Sequence, residues 1–170
     1  MIGIVGFGGI GQSIASQISG FKPTKIIYTG HKEKQEGKKI NAKFVSFDEL
    51  LAESDYIFVA CPLTPETKHM FNADAFEKMK STSVFVNVAR GGVVDQEALY
   101  DALISGKIFA AGLDVMTPEP LPSDHPLMSL PNCGTYAMVF SFLTFLNIVI
   151  FSSSYSTHGN MHSPSSQRNG

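Results

Sequence analysis

A run of glycines near the start of the chain is the first place where residue type and spacing could do chemistry. Gly6-Phe7-Gly8-Gly9-Ile10-Gly11 fits the pattern G-x-G-x-x-G. It follows the apolar stretch Met1-Ile2-Gly3-Ile4-Val5 and opens a segment with helical spacing of Ile10, Ile14 and Ile18. A strand before and a helix after is the setting in which this pattern holds a dinucleotide. Gly6 would allow the tight turn, Gly8 would let a pyrophosphate approach the backbone, and Gly11 would let helix and strand pack closely. The free amides and positive end of the helix then hold phosphate, so Gly6, Gly8, Gly9, Ile10 and Gly11 are candidate cofactor-binding residues. The plain alternative is a glycine-rich turn with no ligand.

The end of the second apolar stretch bears on which dinucleotide is expected. A site that prefers NAD usually places Asp or Glu there, to bond the ribose 2′-hydroxyl. This chain has Thr29-Gly30-His31-Lys32 at that place, with no carboxylate and two groups that can carry positive charge. The expectation is NADP(H) in preference to NAD(H), with NAD(H) still possible; the alternative is that His31 and Lys32 are solvated loop residues. Further along, Arg90 precedes Gly91-Gly92 at the end of another predicted strand, where ligands bind in such sheets. A guanidinium there suits planar oxygens, which its fork bonds in pairs without losing charge. The alternative for Arg90 is a structural salt bridge.

These residues need elements to position them. Apolar runs at 1–5, 25–29, 56–60, 84–88 and 108–115, with a short strand near Phe44 and Val45, alternate with helical segments. Ser46-Phe47-Asp48-Glu49 has the spacing of a capping box at the start of one helix. A short helix is expected from Ala73 to Lys80, and Asp95 can cap another that ends before Gly106. Gly30 to Lys39 reads as a polar, basic loop. Continuous rather than alternating apolar runs mean strands covered on both faces. The expected fold class is therefore α/β: a Rossmann-type, doubly wound parallel sheet.

Composition narrows the function classes. The chain has 170 residues and a net charge of −2, too near neutral for nucleic acid to be the main partner. The two cysteines, Cys61 and Cys133, cannot form a disulfide framework, which suits a reduced, cytoplasmic compartment. The start has neither a basic n-region nor a small-residue cleavage site, so no signal peptide is expected. No cluster with metal-ligand spacing stands out. Every Asp, Glu, Lys and Arg except Arg168 lies at or before Asp124.

Five stretches in order resemble the D-isomer-specific 2-hydroxyacid dehydrogenases, most of all their glyoxylate reductase/hydroxypyruvate reductase branch. They are Gly6 to Ala15, Tyr28-Thr29-Gly30, Ala60-Cys61-Pro62-Leu63-Thr64-Pro65, Phe85 to Leu99 around Ala89-Arg90-Gly91, and Ala110 to Leu121. The resemblance implies a cofactor domain from a two-domain, homodimeric enzyme family that transfers hydride between a nicotinamide cofactor and a short 2-oxo or 2-hydroxy acid. It implies that Arg90 engages the substrate's carboxylate and carbonyl. It also implies that Glu119 holds a catalytic histidine and favours the imidazolium. Asp114 would bond the nicotinamide carboxamide, and Pro62, Thr67 and Ala89 would line the nicotinamide ribose.

The pattern departs from the family after Cys133. The family's histidine is expected in a Pro-His pair shortly beyond, but Met138 stands at that place, and a thioether donates no proton. His125, in Ser123-Asp124-His125-Pro126, is not that histidine. The reading is a cofactor domain over 1–133, one strand short of its proton donor and inactive alone; the alternative is a non-catalytic NADP(H)-binding or dimerisation module. Residues 134–151 form an apolar tail shorter than the usual membrane span of about 20 residues. It could be a transmembrane helix, a makeshift edge strand over Ala137 to Phe142, or a non-native segment read from a retained intron; the last is favoured. Residues 152–170 are Ser-rich with no core pattern, so disorder is expected there.

Overall fold

The computed structural model describes residues 1–135. Its strands are β1 (Ile2–Val5), β2 (Ile26–Thr29), β3 (Lys43–Phe44), β4 (Tyr56–Val59), β5 (Val84–Asn87), β6 (Ala110–Leu113) and β7 (Cys133–Thr135). The helices are α1 (Gly9–Ser19), α2 (Gln35–Lys39), α3 (Phe47–Glu53), α4 (Ala73–Glu77) and α5 (Gln96–Ile104). The strands form one sheet in the order β3-β2-β1-β4-β5-β6-β7, and every neighbouring pair is parallel. The chain winds outward from β1 to β3, returns, and winds the other way from β4. The order therefore reverses between β1 and β4, and a crevice opens there beyond the carboxyl ends of the strands.

The strands are apolar throughout because both faces are covered. All four residues of β1 and of β5 are buried. One side of the sheet carries the main core, in which Phe71, Phe76 and Phe85 meet as a ring cluster with centroids 4.9–6.4 Å apart. Each is at most 1% exposed, and complete burial of such a side chain contributes about 1.5–3 kcal/mol. At the far edge β3 has only two residues, one of them Lys43, which discourages pairing with another chain.

Helix caps follow the sequence closely at two places. Asp95 accepts from the amides of Glu97 and Ala98, and Gly106, with φ +70°, lies just past α5. Ser46 Oγ accepts from Glu49 N, but Glu49 pairs with Lys43 Nζ at 3.0 Å, so only half of the capping box forms.

Four other expectations change. The apolar spacing of Ile10, Ile14 and Ile18 suggested the buried face of α1, yet the buried residues are Gly11 and Ala15 and Ile10 is 56% exposed. The reason is steric: a Cβ on Gly11 would lie 2.1 Å from Gly6 O, so α1 approaches the sheet too closely for branched side chains on that face. The segment expected to be a loop from Gly30 to Lys39 contains α2, with Glu36 in its first turn and Lys38 and Lys39 in its last, matching the helix dipole. The helix expected over Ala73 to Lys80 is shorter, because its cap falls at Lys78. The sheet is not cut at Cys133: Cys133, Gly134 and Thr135 pair with Ala111, Gly112 and Leu113 as a seventh strand. The proposed edge strand over Ala137 to Phe142, the apolar run as a membrane span, Met138 and the Ser-rich tail all lie outside the described residues. Within the described residues, no helix is long and apolar enough to cross a membrane.

Candidate functional site

The crevice between β1 and β4 holds a cleft of about 480 Å³ lined by Gly8, Gly9, Ile10, Ala60, Cys61, Pro62, Leu63, Ala89 and Arg90. Its first wall is the turn from β1 into α1. Gly6 has φ +93°, a left-handed conformation that disfavours a side chain, and a Cβ there would lie 2.5 Å from Cys61 N. Gly8 caps α1 without any side-chain cap, and Gln12 Nε2 donates to Phe7 O at 3.1 Å to brace the turn. No acidic side chain occupies the first turn of α1. Nothing lies within 4 Å of a Cβ built on Gly8 or Gly9, so the space beside the start of the helix is open. That is a cradle for an anion.

The second wall is the loop after β4. Thr67 Oγ1 donates to Pro62 O at 2.7 Å and accepts from Thr64 N at 2.8 Å, so one hydroxyl closes the turn that presents Pro62 and Leu63. Thr67 is thus engaged in the turn beside the cleft. Glu66, on the same turn, is held below the usual carboxylate range, first by a hydrogen bond from Thr64, with a smaller attraction from His31. Cys61 borders the cleft, and burial pushes its thiol up.

The third wall comes from β5. Asn87 is fully buried at the strand end; its Oδ1 accepts from Ala89 N at 3.0 Å and its Nδ2 donates to Arg90 O at 3.1 Å. This side chain folds the backbone of 87–90 and so aims Arg90, which is exposed and donates to Ala89 O at 2.6 Å. Among the described residues no ion pair involves Arg90. The salt-bridge alternative thus has no partner in the described residues.

The loop after β6 lies alongside. A Cβ on Gly91 would lie 2.2 Å from the backbone of Met116, so the segment beyond Arg90 and the segment before Glu119 touch. Gln96 joins them a second time: its Nε2 donates to Thr117 O at 2.6 Å and its Oε1 accepts from Thr117 N at 2.7 Å. Glu119 is exposed on this loop. Asp114 is positioned by its amide, which donates to Asn87 O at 3.0 Å; its Oδ1 is buried with no hydrogen-bond partner among the described residues.

The structure thus gathers Gly8, Gly9, Ile10, Pro62, Ala89 and Arg90 around one cleft, with Gly6 and Gly11 shaping its turn. Thr29 lies beside that turn, where its carbonyl accepts from Gly6 N at 3.0 Å. Gly30, His31 and Lys32 follow on an exposed loop, and Thr67, Asp114 and Glu119 stand on the other loops at the same ends of the strands. His125 Nδ1 accepts from Leu127 N at 3.2 Å and caps a short turn. The bracing residues Gln12, Asn87 and Gln96 were not among the sequence candidates. Only Asn87 left a signal, as the lone polar residue ending an apolar strand.

Relatives with known names fit this geometry. Residues 1–137 match the family model described as D-isomer specific 2-hydroxyacid dehydrogenase, NAD binding domain. The human protein named glyoxylate reductase/hydroxypyruvate reductase is 53% identical over 133 residues, which is 78% of this chain and 40% of that protein. Among solved structures, the TT0316 protein of Thermus thermophilus superposes with TM-score 0.75 at 40% identity, covering 82% of this chain and 43% of that one. The holo form of D-mandelate dehydrogenase from Rhodotorula graminis gives TM-score 0.76 at 31% identity, covering 90% and 46%. The chain spans less than half the length of each of these relatives. With the glycine turn, the parallel sheet and the family match in agreement, the chain belongs to the D-isomer-specific 2-hydroxyacid dehydrogenases, an oxidoreductase family, through their NAD-binding domain.

Proposed function

We propose that this chain holds NADP(H) in the β1–β4 cleft and serves the reduction of short 2-oxo acids of the glyoxylate and hydroxypyruvate type. The observation that carries the reading is the meeting, in one cleft, of a helix start with no side-chain cap and an arginine that forms no ion pair among the described residues. The residues also fit the cofactor elsewhere. Asp114 Oδ1 is a buried acceptor without a donor, and a carboxamide N–H would supply one. Exposed His31 and Lys32, with no carboxylate at the end of β2, suit a 2′-phosphate.

In this reading Gly8, Gly9, Ile10 and Gly11 hold the pyrophosphate. Pro62, Ala89 and Thr67 shape the nicotinamide end, and Arg90 orients the substrate carboxylate and polarises its carbonyl. When bound, the reduced nicotinamide supplies the hydride. A proton must also reach the new hydroxyl, and here the cleft is poorly equipped. Among the described residues its titratable lining groups are Arg90, assigned above to the substrate's carboxylate and carbonyl, and Cys61, whose thiol burial pushes up. Glu119 would hold a basic group, but among the described residues no imidazole borders the cleft. The 170-residue chain alone is therefore expected to bind the cofactor without efficient turnover.

Titration of the full chain with NADPH and NADH, followed by a glyoxylate reduction assay, tests this. The expected result is tighter binding of NADPH and turnover well below about 1 s⁻¹, a rate ordinary for enzymes. Equal or tighter NADH binding removes the cofactor preference. Enzyme-like turnover removes the claim of inactivity, and absence of binding to either dinucleotide removes the reading altogether.

A further inference from the structure

Tyr28 lies on β2 and is fully buried, with its ring stacked on Phe7 at a centroid distance of 4.0 Å. Phe7 is the residue between Gly6 and Gly8, so the ring supports the turn assigned to the pyrophosphate. Phenylalanine would satisfy that packing. A buried tyrosine hydroxyl needs a partner, and this one uses a single residue twice: it accepts from Lys34 N at 2.8 Å and donates to Lys34 O at 3.2 Å. Lys34 is the residue that enters α2, with extended backbone and no side-chain cap of its own. Gly37, in the first turns of α2, packs on the same ring; a Cβ there would lie 2.6 Å from Tyr28 Cε1 and 2.8 Å from the hydroxyl.

The loop from Gly30 to Lys34 is thereby tied at both ends. Thr29 O, bonded to Gly6 N, fixes its start, and the Tyr28 hydroxyl fixes its end. Between the ties lie exposed His31, Lys32 and Glu33, the last paired with Lys38 Nζ at 3.6 Å. A loop held this way loses less conformational freedom when a ligand orders it.

We infer that the Tyr28 hydroxyl is the positioning group that holds the 30–34 loop ready for the cofactor's 2′-phosphate, and that it therefore sets discrimination between NADPH and NADH. This rests on the reading that His31 and Lys32 receive that phosphate. The hydroxyl touches neither cofactor nor substrate; it acts through the backbone of Lys34. One aromatic ring then coordinates two recognition elements, its face under the glycine turn and its edge under the specificity loop.

The test compares dissociation constants for NADPH and NADH in the full chain, in Tyr28→Phe and in Lys32→Ala, with amide hydrogen exchange of the 30–34 loop. Losing the hydroxyl is expected to cut the NADPH preference about tenfold, to leave the NADH constant within about twofold, and to speed exchange at Lys34. Gly37→Ala presses on the ring and hydroxyl from the other side and is expected to lower the same ratio. If Tyr28→Phe weakens both cofactors alike, the hydroxyl is merely structural and the inference fails. It fails too if exchange rises while the ratio holds. A wild-type chain without NADPH preference, or one in which Lys32→Ala leaves that preference intact, overturns the parent reading as well. A wild-type preference that Lys32→Ala lowers and Tyr28→Phe keeps overturns this inference alone.

Discussion

On the β1 side of the crevice the recognition surface is backbone: a turn of glycines, a helix start without a cap, and space where side chains would be. On the β4–β6 side it is side chains, and each presented group is braced by a polar side chain behind it. Asn87 folds the turn under Arg90, the Thr64–Thr67 pair closes the loop of Pro62, and Gln96 clamps the loop that carries Glu119. On the proposed function, the contrast follows from the ligand parts. A pyrophosphate is met by amides that every residue has, so the site is made by removing side chains. A substrate acid and a carboxamide need particular groups at particular angles, so the site is made by adding them.

The largest effect should come from filling the backbone side. Gly11→Ala would set a methyl 2.1 Å from Gly6 O, backbone against backbone, and is expected to cost about 3 kcal/mol of stability in urea unfolding. The same change at Gly9, with nothing within 4 Å, should stay within about 0.5 kcal/mol; similar losses at both positions would contradict the account of Gly11. On the other side, Asn87→Ala leaves the Ala89 amide and Arg90 carbonyl without their partner, a loss of about 2 kcal/mol. NADPH affinity should suffer less than binding of a 2-oxo acid to the cofactor complex, because the turn aims Arg90. Smaller than the loss at Asn87 is that of Gln96→Ala, where both lost bonds are exposed. About 1 kcal/mol or less is expected, with faster amide exchange confined to Thr117 and its neighbours; a silent exchange profile there would remove Gln96 from the positioning set.

The same contrast explains what could be read in advance. Glycine spacing, apolar runs and the Asp95 cap are local, and each forces nearly the same backbone wherever it occurs. The fold class, the turn at Gly6 and the helix after Asp95 were therefore visible in the chain. The bracing contacts are not local in this way. Gln96 and Thr117 are far apart in sequence, and nothing in either residue announces the other. The inward face of α1 did not follow from spacing for a related reason: periodicity reports which residues are apolar, but the distance between helix and strand decides which of them fit.

What the order of residues dictated here is an alternating α/β chain with a glycine-rich turn after its first strand and an arginine at a later strand end. Hydrophobic period and glycine placement act over a few residues, so they need no folded partner to be recognised. The crevice arose from packing: the reversal of strand order between β1 and β4 brings Ile10, Pro62 and Arg90 to one cleft. Packing also placed Tyr28 between the glycine turn and Lys34. Such contacts depend on where parallel strands end relative to one another, which the sheet register sets and no single segment encodes.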